Sequence, residues 1–214
     1  MALLSSKILN GLKGKIEKLV FYCARGQQRV RALAELGPRP RSQAMELQSC
    51  RLRACIAFYR ANLLTELPRI WKCAAEGMVA TGYNLFLGNN MRVFDRQHRI
   101  TDYAALKVTT GSLELPTGWS TQPLTPRSVR IAWHNVLPED ASHRQDALMG
   151  FWLPDDGSFQ LLPADFPGIT RQKEEMTVTL PLGDVTGWHL YLFLTNADRC
   201  KYSDCQYFYF ENGI

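Results

Sequence analysis

From Tyr103 to the C-terminus, short runs of β-forming residues recur between Pro- and Gly-rich turns. This punctuation limits the fold more than any other feature of the 214-residue chain. The runs predict strands at Leu106–Leu115, Ser128–His134, Ala147–Leu153, Phe159–Leu162, Met176–Leu180, His189–Thr195 and Gln206–Phe210. Turn signals fall between them at Pro116–Gly118, Pro154–Gly157, Pro163–Gly168, Gly183–Gly187 and Asn196–Asp204.

Seven short antiparallel strands in about 110 residues predict a β-sandwich of the fibronectin type III or immunoglobulin-like sort. Trp133, Tyr191 and Phe193 are its expected core. No Cys pair links the strands that a disulfide would join in an antibody domain, which favours the fibronectin-like version.

The first half of the chain reads differently. Lys18–Ala24 (KLVFYCA) is rich in β-formers, and Gln28–Leu33 (QRVRAL) alternates basic and apolar residues, with Arg25-Gly26 as the turn of a hairpin. Alternation then places Arg29 and Arg31 on one face and Val30 and Ala32 on the other. Gly37-Pro38-Arg39-Pro40 ends regular structure, and Ser42 is a suitable N-cap for a helix. Leu52, Cys55, Ile56, Tyr59 and Leu63 recur at helical spacing to about Leu64. A second helix is expected from Leu67, where Pro68 fits the first turn, and a third helical segment over Met78–Phe94, weakened by Gly82 and Gly88. The expectation is therefore α+β: an N-terminal β-hairpin with helices over residues 1–102, then an antiparallel sandwich over 103–214.

Charge divides at the same place. Residues 1–102 carry 17 Lys and Arg against 7 Asp and Glu, a net +10, and residues 103–214 carry 8 against 13, a net −5. A basic arm of this kind points to an acidic protein surface, including the acidic sandwich of a second copy. Lys13, Lys15, Arg25, Arg29, Arg31, Arg51 and Arg53 are the candidate partner-binding residues. A phosphate backbone is the alternative partner, with Phe21 and Tyr22 placed to stack on bases. A third reading is a carbohydrate-binding module that uses Trp119, Trp152 and Trp188 as a sugar platform.

Catalytic patterns are missing from the sequence. There is no Gly-x-Ser-x-Gly elbow, no His-Glu-x-x-His, no phosphate loop and no Gly-x-Gly-x-x-Gly. The four histidines lie in four separate segments, and His134, next to Trp133 on a strand, is expected to face outward. The acidic pairs Glu139-Asp140, Asp155-Asp156 and Glu174-Glu175 sit in or beside predicted turns and read as solvated. Of six cysteines, Cys50 and Cys55 would stand about 140° apart on a helix. Cys200 and Cys205 could close a small loop, but reduced, buried thiols are the expectation for the set. Neither a cofactor nor a metal is expected, and the sequence assigns no small-molecule ligand. A non-enzymatic interaction or structural protein is therefore the expected function. No run is long and apolar enough to span a membrane, and Lys7 interrupts the only N-terminal apolar run, so a cytoplasmic protein, or one released without a signal, is expected.

The order of these features resembles a family of uncharacterised Bacteroidetes proteins of about 200 residues. The pieces that carry the resemblance are Gly11-Leu12-Lys13-Gly14-Lys15-Ile16, Arg25-Gly26-Gln27-Gln28-Arg29-Val30-Arg31, Pro38–Pro40 and Ser42-Gln43-Ala44. Ile100-Thr101-Asp102-Tyr103, Gly111-Ser112-Leu113 and Ile131-Ala132-Trp133 also match. Glu17 departs from that pattern, in which a glycine is usual, and Cys50 and Leu52 stand where the pattern is more polar. The resemblance implies this order of elements and no activity, cofactor or catalytic residue.

Overall fold

The computed structural model describes residues 2–3, 11–34, 40–136 and 142–212. It divides into two units, Met1–Ser42 and Gln43–Ile214. The Gly37–Arg39 break and the Glu139-Asp140 pair lie outside the described residues.

The first unit holds a four-stranded antiparallel sheet of β1 (Ala2–Leu3), β2 (Gly14–Ile16), β3 (Leu19–Ala24) and β4 (Gln27–Ala32), in the order β1-β4-β3-β2. The expected hairpin is its centre. Arg25 and Gly26 join β3 to β4 with positive φ at both residues, the conformation of a two-residue turn whose twist matches that of its strands. Glu17-Lys18 closes the preceding hairpin, where Ile16 pairs with Leu19. Glu17 holds φ at 48°, so the turn forms with a side chain where glycine would carry no steric cost.

The second unit has three layers. Helices α1 (Gln43–Ala61), α2 (Leu67–Ala74) and α3 (Gly82–Asn90) form one layer. The middle layer is a four-stranded sheet, β11-β10-β7-β8, built from β7 (Ala147–Pro154), β8 (Leu162–Thr170), β10 (Gly187–Thr195) and β11 (Gln206–Glu211). The third is a three-stranded sheet, β5-β6-β9, from β5 (Thr117–Thr125), β6 (Ser128–His134) and β9 (Glu175–Thr179). The two sheets make an antiparallel sandwich of fibronectin/immunoglobulin-like type with helices on one side, so the fold is α+β as expected.

The helices are not a separate body from the sandwich. Phe58, Trp71, Phe86 and Phe94 share one buried cluster with Met149, Phe151, Leu153, Tyr191 and Phe193 of the middle sheet. The boundary expected at 102/103 therefore falls inside the second unit. The reason is that β7 and β10 are covered on both faces. Leu148, Trp152, Leu190, Leu192 and Leu194 point into the sandwich beside Trp133, Ile131 and Val178. The alternate residues point at the helices. Tyr191 and Phe193 are thus core residues, but of the helix–sheet layer rather than of the sandwich interior.

Two asparagines fasten the helices to the sheet. Asn62, just beyond α1, is fully buried. Its Nδ2 donates to the carbonyls of Phe58 (2.8 Å) and Phe159 (2.7 Å), and its Oδ1 accepts from the Leu161 N–H (2.8 Å). Asn90, closing α3, accepts from the Lys107 N–H (2.8 Å) and donates to the Lys107 carbonyl (3.0 Å). These side chains imitate a strand partner for the backbone they meet.

Two strands sit away from their expected positions. Leu106–Leu115 is an irregular segment anchored by buried Leu106, Val108 and Leu113, and the first sandwich strand comes after it, at Thr117. The fourth strand begins at Leu162, where prolines suggest a turn. Pro123 in β5 and Pro163 and Pro167 in β8 are tolerated because both strands are sheet edges with one neighbour each. Gly82 also differs from expectation: it opens α3, capped by Thr81 Oγ1, and a Cβ there would run into the Trp71 carbonyl. All six cysteines are free, so Cys200 and Cys205 are not joined. Of the six, only Cys55 is fully buried, and burial pushes its thiol up to about 12.

His189 lies on the helix-facing side of β10, 4% exposed. Its ring stacks on Tyr103 at 3.7 Å between centroids, Nδ1 meets the Tyr207 hydroxyl at 2.8 Å, and Nε2 is 3.7 Å from Asp155 Oδ1. Burial holds its pKa below the ordinary imidazole range, and Asp155 opposes that shift.

This packing sets three expected outcomes. Asn62→Ala, which strands the Phe159 carbonyl and the Leu161 N–H, lowers the unfolding free energy by about 3 kcal/mol in urea denaturation. Glu17→Gly relieves a left-handed residue and stabilises the first sheet by about 1 kcal/mol, read as slower amide exchange in β2 and β3. Because the folded pKa of His189 is depressed, the unfolded chain takes up the imidazole proton first. Stability due to this group is complete above about pH 6.5 and is lost as pH falls from there through the folded pKa. His189→Asn flattens that limb of the pH–stability curve.

Candidate functional site

The register of the first sheet decides which basic residues act together. Lys15 pairs with Val20 and Val20 with Arg31, while Tyr22 pairs with Arg29. Lys15, Val20, Tyr22, Arg29 and Arg31 therefore share one face. Ile16, Leu19, Phe21, Val30 and Ala32 share the other. Arg29 and Arg31, two residues apart on one strand, stand roughly 7 Å apart along it. Arg29 Nη2 also donates to Gln27 Oε1 at 3.2 Å, which steadies one guanidinium of the row.

This face is a strip of three cations around Val20 and Tyr22, both half-buried. Lys15 and Arg31 are exposed and Arg29 is half-buried. Lys13 precedes β2 and Arg25 sits in the β3–β4 turn, both exposed and off the two strand rows. Arg51 and Arg53 belong to α1 in the second unit. Two helix positions place them about 200° apart, so they do not converge on one face. The seven candidates thus resolve into a core of three on one sheet face, two beside it, and two that diverge on a helix. The unit Met1–Ser42 carries 9 Lys and Arg against 2 Asp and Glu, a net +7 where the whole chain nets +5, and is the electrically distinct part of the molecule.

The two aromatics expected to stack on bases part company. Tyr22 lies on the basic face, whereas Phe21 points to the opposite face and is 8% exposed. The proposed sugar platform does not form. Trp152 and Trp188 are buried within the sandwich, edge to face at 6.3 Å. Trp119 packs on Trp133 at 5.2 Å and donates Nε1–H to the Pro116 carbonyl. His134 is exposed, as expected, with Glu174 Oε1 at 3.7 Å. Asp155, read as solvated, instead receives the hydroxyls of Thr186 and Tyr209 on Oδ2, each at 3.3 Å.

One constellation has no signal in the sequence. Asp146 and Arg171 are buried, 4% and 1% exposed, and line a cavity with Ser112, Glu114, His143 and Lys201. Burial raises the Asp146 pKa, opposed by His143 and Arg171. Burial lowers the Arg171 pKa, opposed by Asp146 and Glu114. These residues come from four separate segments, at no spacing that a motif would reveal. No cluster of His, Cys, Asp and Glu among the described residues could hold a metal ion, and no helix among them is long and apolar enough to cross a membrane.

No protein-family model matches the sequence, and no curated protein does. Solved structures align with about half of it. A myokine structure is 10% identical, with a TM-score of 0.35 over 48% of this chain and 100% of its own. The FN1-FN3 domains of chicken CNTN1 are 12% identical, with a TM-score of 0.35 over 49% of this chain and 33% of theirs. Titin module A71 from human cardiac muscle is 16% identical, with a TM-score of 0.34 over 44% of this chain and 86% of its own.

Proposed function

We propose that this chain is a non-enzymatic interaction protein. Its basic N-terminal sheet docks on an acidic protein surface, and the helix-covered sandwich is its rigid body. The observation that carries this reading is the register that sets Lys15, Arg29 and Arg31 on one sheet face, within a unit of net charge +7. Charges presented on paired strands need little reorganisation to meet a partner, and a basic face speeds encounter with acidic ones. Residues 103–214 carry a net −5, so a second copy supplies a surface of the required sign. Head-to-tail association, basic sheet to acidic sandwich, is the form of docking we propose; an interface of that kind propagates into rings or filaments. The resemblance to the Bacteroidetes family is proposed alongside it and adds no activity.

Size-exclusion chromatography with light scattering tests this reading. At about 50 mM salt the mass exceeds the 24.4 kDa of one chain, and at about 500 mM it returns to that value. Lys15→Ala/Arg29→Ala/Arg31→Ala is monomeric at both. A monomer indifferent to salt overturns self-association. Co-eluting nucleic-acid absorbance that salt strips away replaces the protein partner with a polyanionic strand recognised by the same face.

A further inference from the structure

Helix α2 is held to the loop between β10 and β11 along one of its faces. Glu66, Arg69 and Cys73 recur at spacings of three and four residues, so they line a single side of the helix and the residue before it. Arg69 Nη2 donates to the Asp198 carbonyl at 3.2 Å, and Glu66 Oε1 lies 3.4 Å from Arg199 Nη1. The loop is braced from within. Tyr202, 2% exposed, donates its hydroxyl to the Arg199 carbonyl at 2.9 Å. Asn196 Oδ1 accepts the N–H groups of Cys200 and Lys201 at 3.0 and 2.9 Å.

The next members of these two facing rows are both cysteines. Half-buried Cys73 and exposed Cys200 line the same cavity of about 610 Å³. Burial is the main cause that raises the Cys73 pKa; Arg69 opposes it, and Cys200 adds to the rise more than Glu76 does from three residues along the chain. Coulombic effects weaken with distance, so Cys200 faces Cys73 at about the 5–6 Å that separates side chains one helical turn apart. Cys200 Sγ accepts from Asn196 Nδ2 at 3.3 Å. Cys205 is turned elsewhere, with its Sγ 4.0 Å from the Leu106 carbonyl.

We propose that Cys73 and Cys200 form a redox latch: a peroxide oxidises them to a disulfide that ties α2 to the β10–β11 loop across this cavity. The exposed Cys200 thiolate attacks first. An S–O bond forms, the O–O bond breaks, and the second peroxide oxygen leaves as water. The Cys73 sulfur then attacks the Cys200 sulfur. The S–S bond forms, the sulfenic S–O bond breaks, and the Cys73 proton departs with that hydroxide as a second water. The two sulfurs supply the two electrons that turn one peroxide into two waters. Burial favours the neutral thiol at Cys73 and so assigns it the second step. A disulfide needs Cβ atoms roughly 4 Å apart, and the exposed loop, not α2, closes the remaining distance. The pair lies in the second unit and the latch does not depend on the basic sheet.

Treating the reduced full chain with about one equivalent of hydrogen peroxide, then alkylating and mapping its peptides without reduction, tests the latch. Free thiols fall by two from the six of the reduced chain, and a linked peptide pair containing Cys73 and Cys200 forms that dithiothreitol dissolves. The thermal midpoint rises by about 8 °C and returns on reduction. Cys73→Ser stops at a sulfenic acid on Cys200 that dimedone traps, and Cys200→Ser keeps all its remaining thiols. A Cys200–Cys205 link, or a link found only between two chains, overturns the pairing. A wild-type chain that keeps its thiols, or that holds sulfenic acid on Cys200 without forming the link, overturns the latch.

Discussion

Burial of the middle sheet on both faces is the constraint on which the rest of the second unit depends. All nine residues of β10 are buried, and in β7 only Ala147 is not. An antiparallel strand of that kind has no solvent face, so it reads as a continuous apolar run instead of an alternating one. WHLYLFLT and ALMGFWLP are such runs. A sandwich alone covers one face of them. The other would expose Met149, Phe151, Leu153, Tyr191 and Phe193 as a single apolar patch, and α1, α2 and α3 exist in this unit as its cover. Covering a sheet with helices brings irregular backbone indoors at their ends. Asn62 and Asn90, each accepting from one N–H and donating to carbonyls, meet that demand at two such ends.

The strands legible in the sequence are those whose chemistry is unambiguous in either setting. Ser128–His134 alternates as a half-buried strand should, and Gln206–Glu211 and Glu175–Thr179 are bounded by clear turns. Legibility fails at the edges. Thr117–Thr125 and Leu162–Thr170 contain prolines and many exposed residues, which local pattern assigns to turns. Only tertiary position, with one neighbour in place of two, makes proline harmless there. The helix–sheet contact is hidden for a related reason. Periodicity shows that α1 has an apolar stripe but not what the stripe meets, so Phe58 and Phe193, 135 positions apart, carry no shared local signal.

The candidate surfaces divide in the same way. Two-residue alternation on QRVRA is enough to place Arg29 and Arg31 together, because a hairpin with a two-residue turn leaves the register no freedom. Adding Lys15 to that face requires the second turn, at Glu17-Lys18, whose left-handed Glu17 gives no glycine signal. Arg51 and Arg53 enter the basic set through charge alone, and helical geometry then separates them. Arg171, Asp146, His143 and Lys201 converge only through long-range packing. A single buried arginine in a strand-rich chain looks, in sequence, like any surface arginine.

The two units therefore place opposite demands on their residues. In the second unit most apolar side chains are committed to two clusters on either side of β7 and β10, and the buried Asn62 and Asn90 enter beside them hydrogen-bonded to backbone. In the first, among the described residues, Phe21 alone is buried, and the order of the sheet rests on strand pairing and on two tight turns. A sheet with so little core contributes little hydrophobic stabilisation of its own. Its sequence is free to be chosen for the face it presents, which is why seven units of net positive charge can gather in 42 residues without the self-repulsion having to be absorbed by a packed interior. The packed apolar core is concentrated in the second unit, and the net positive charge in the first.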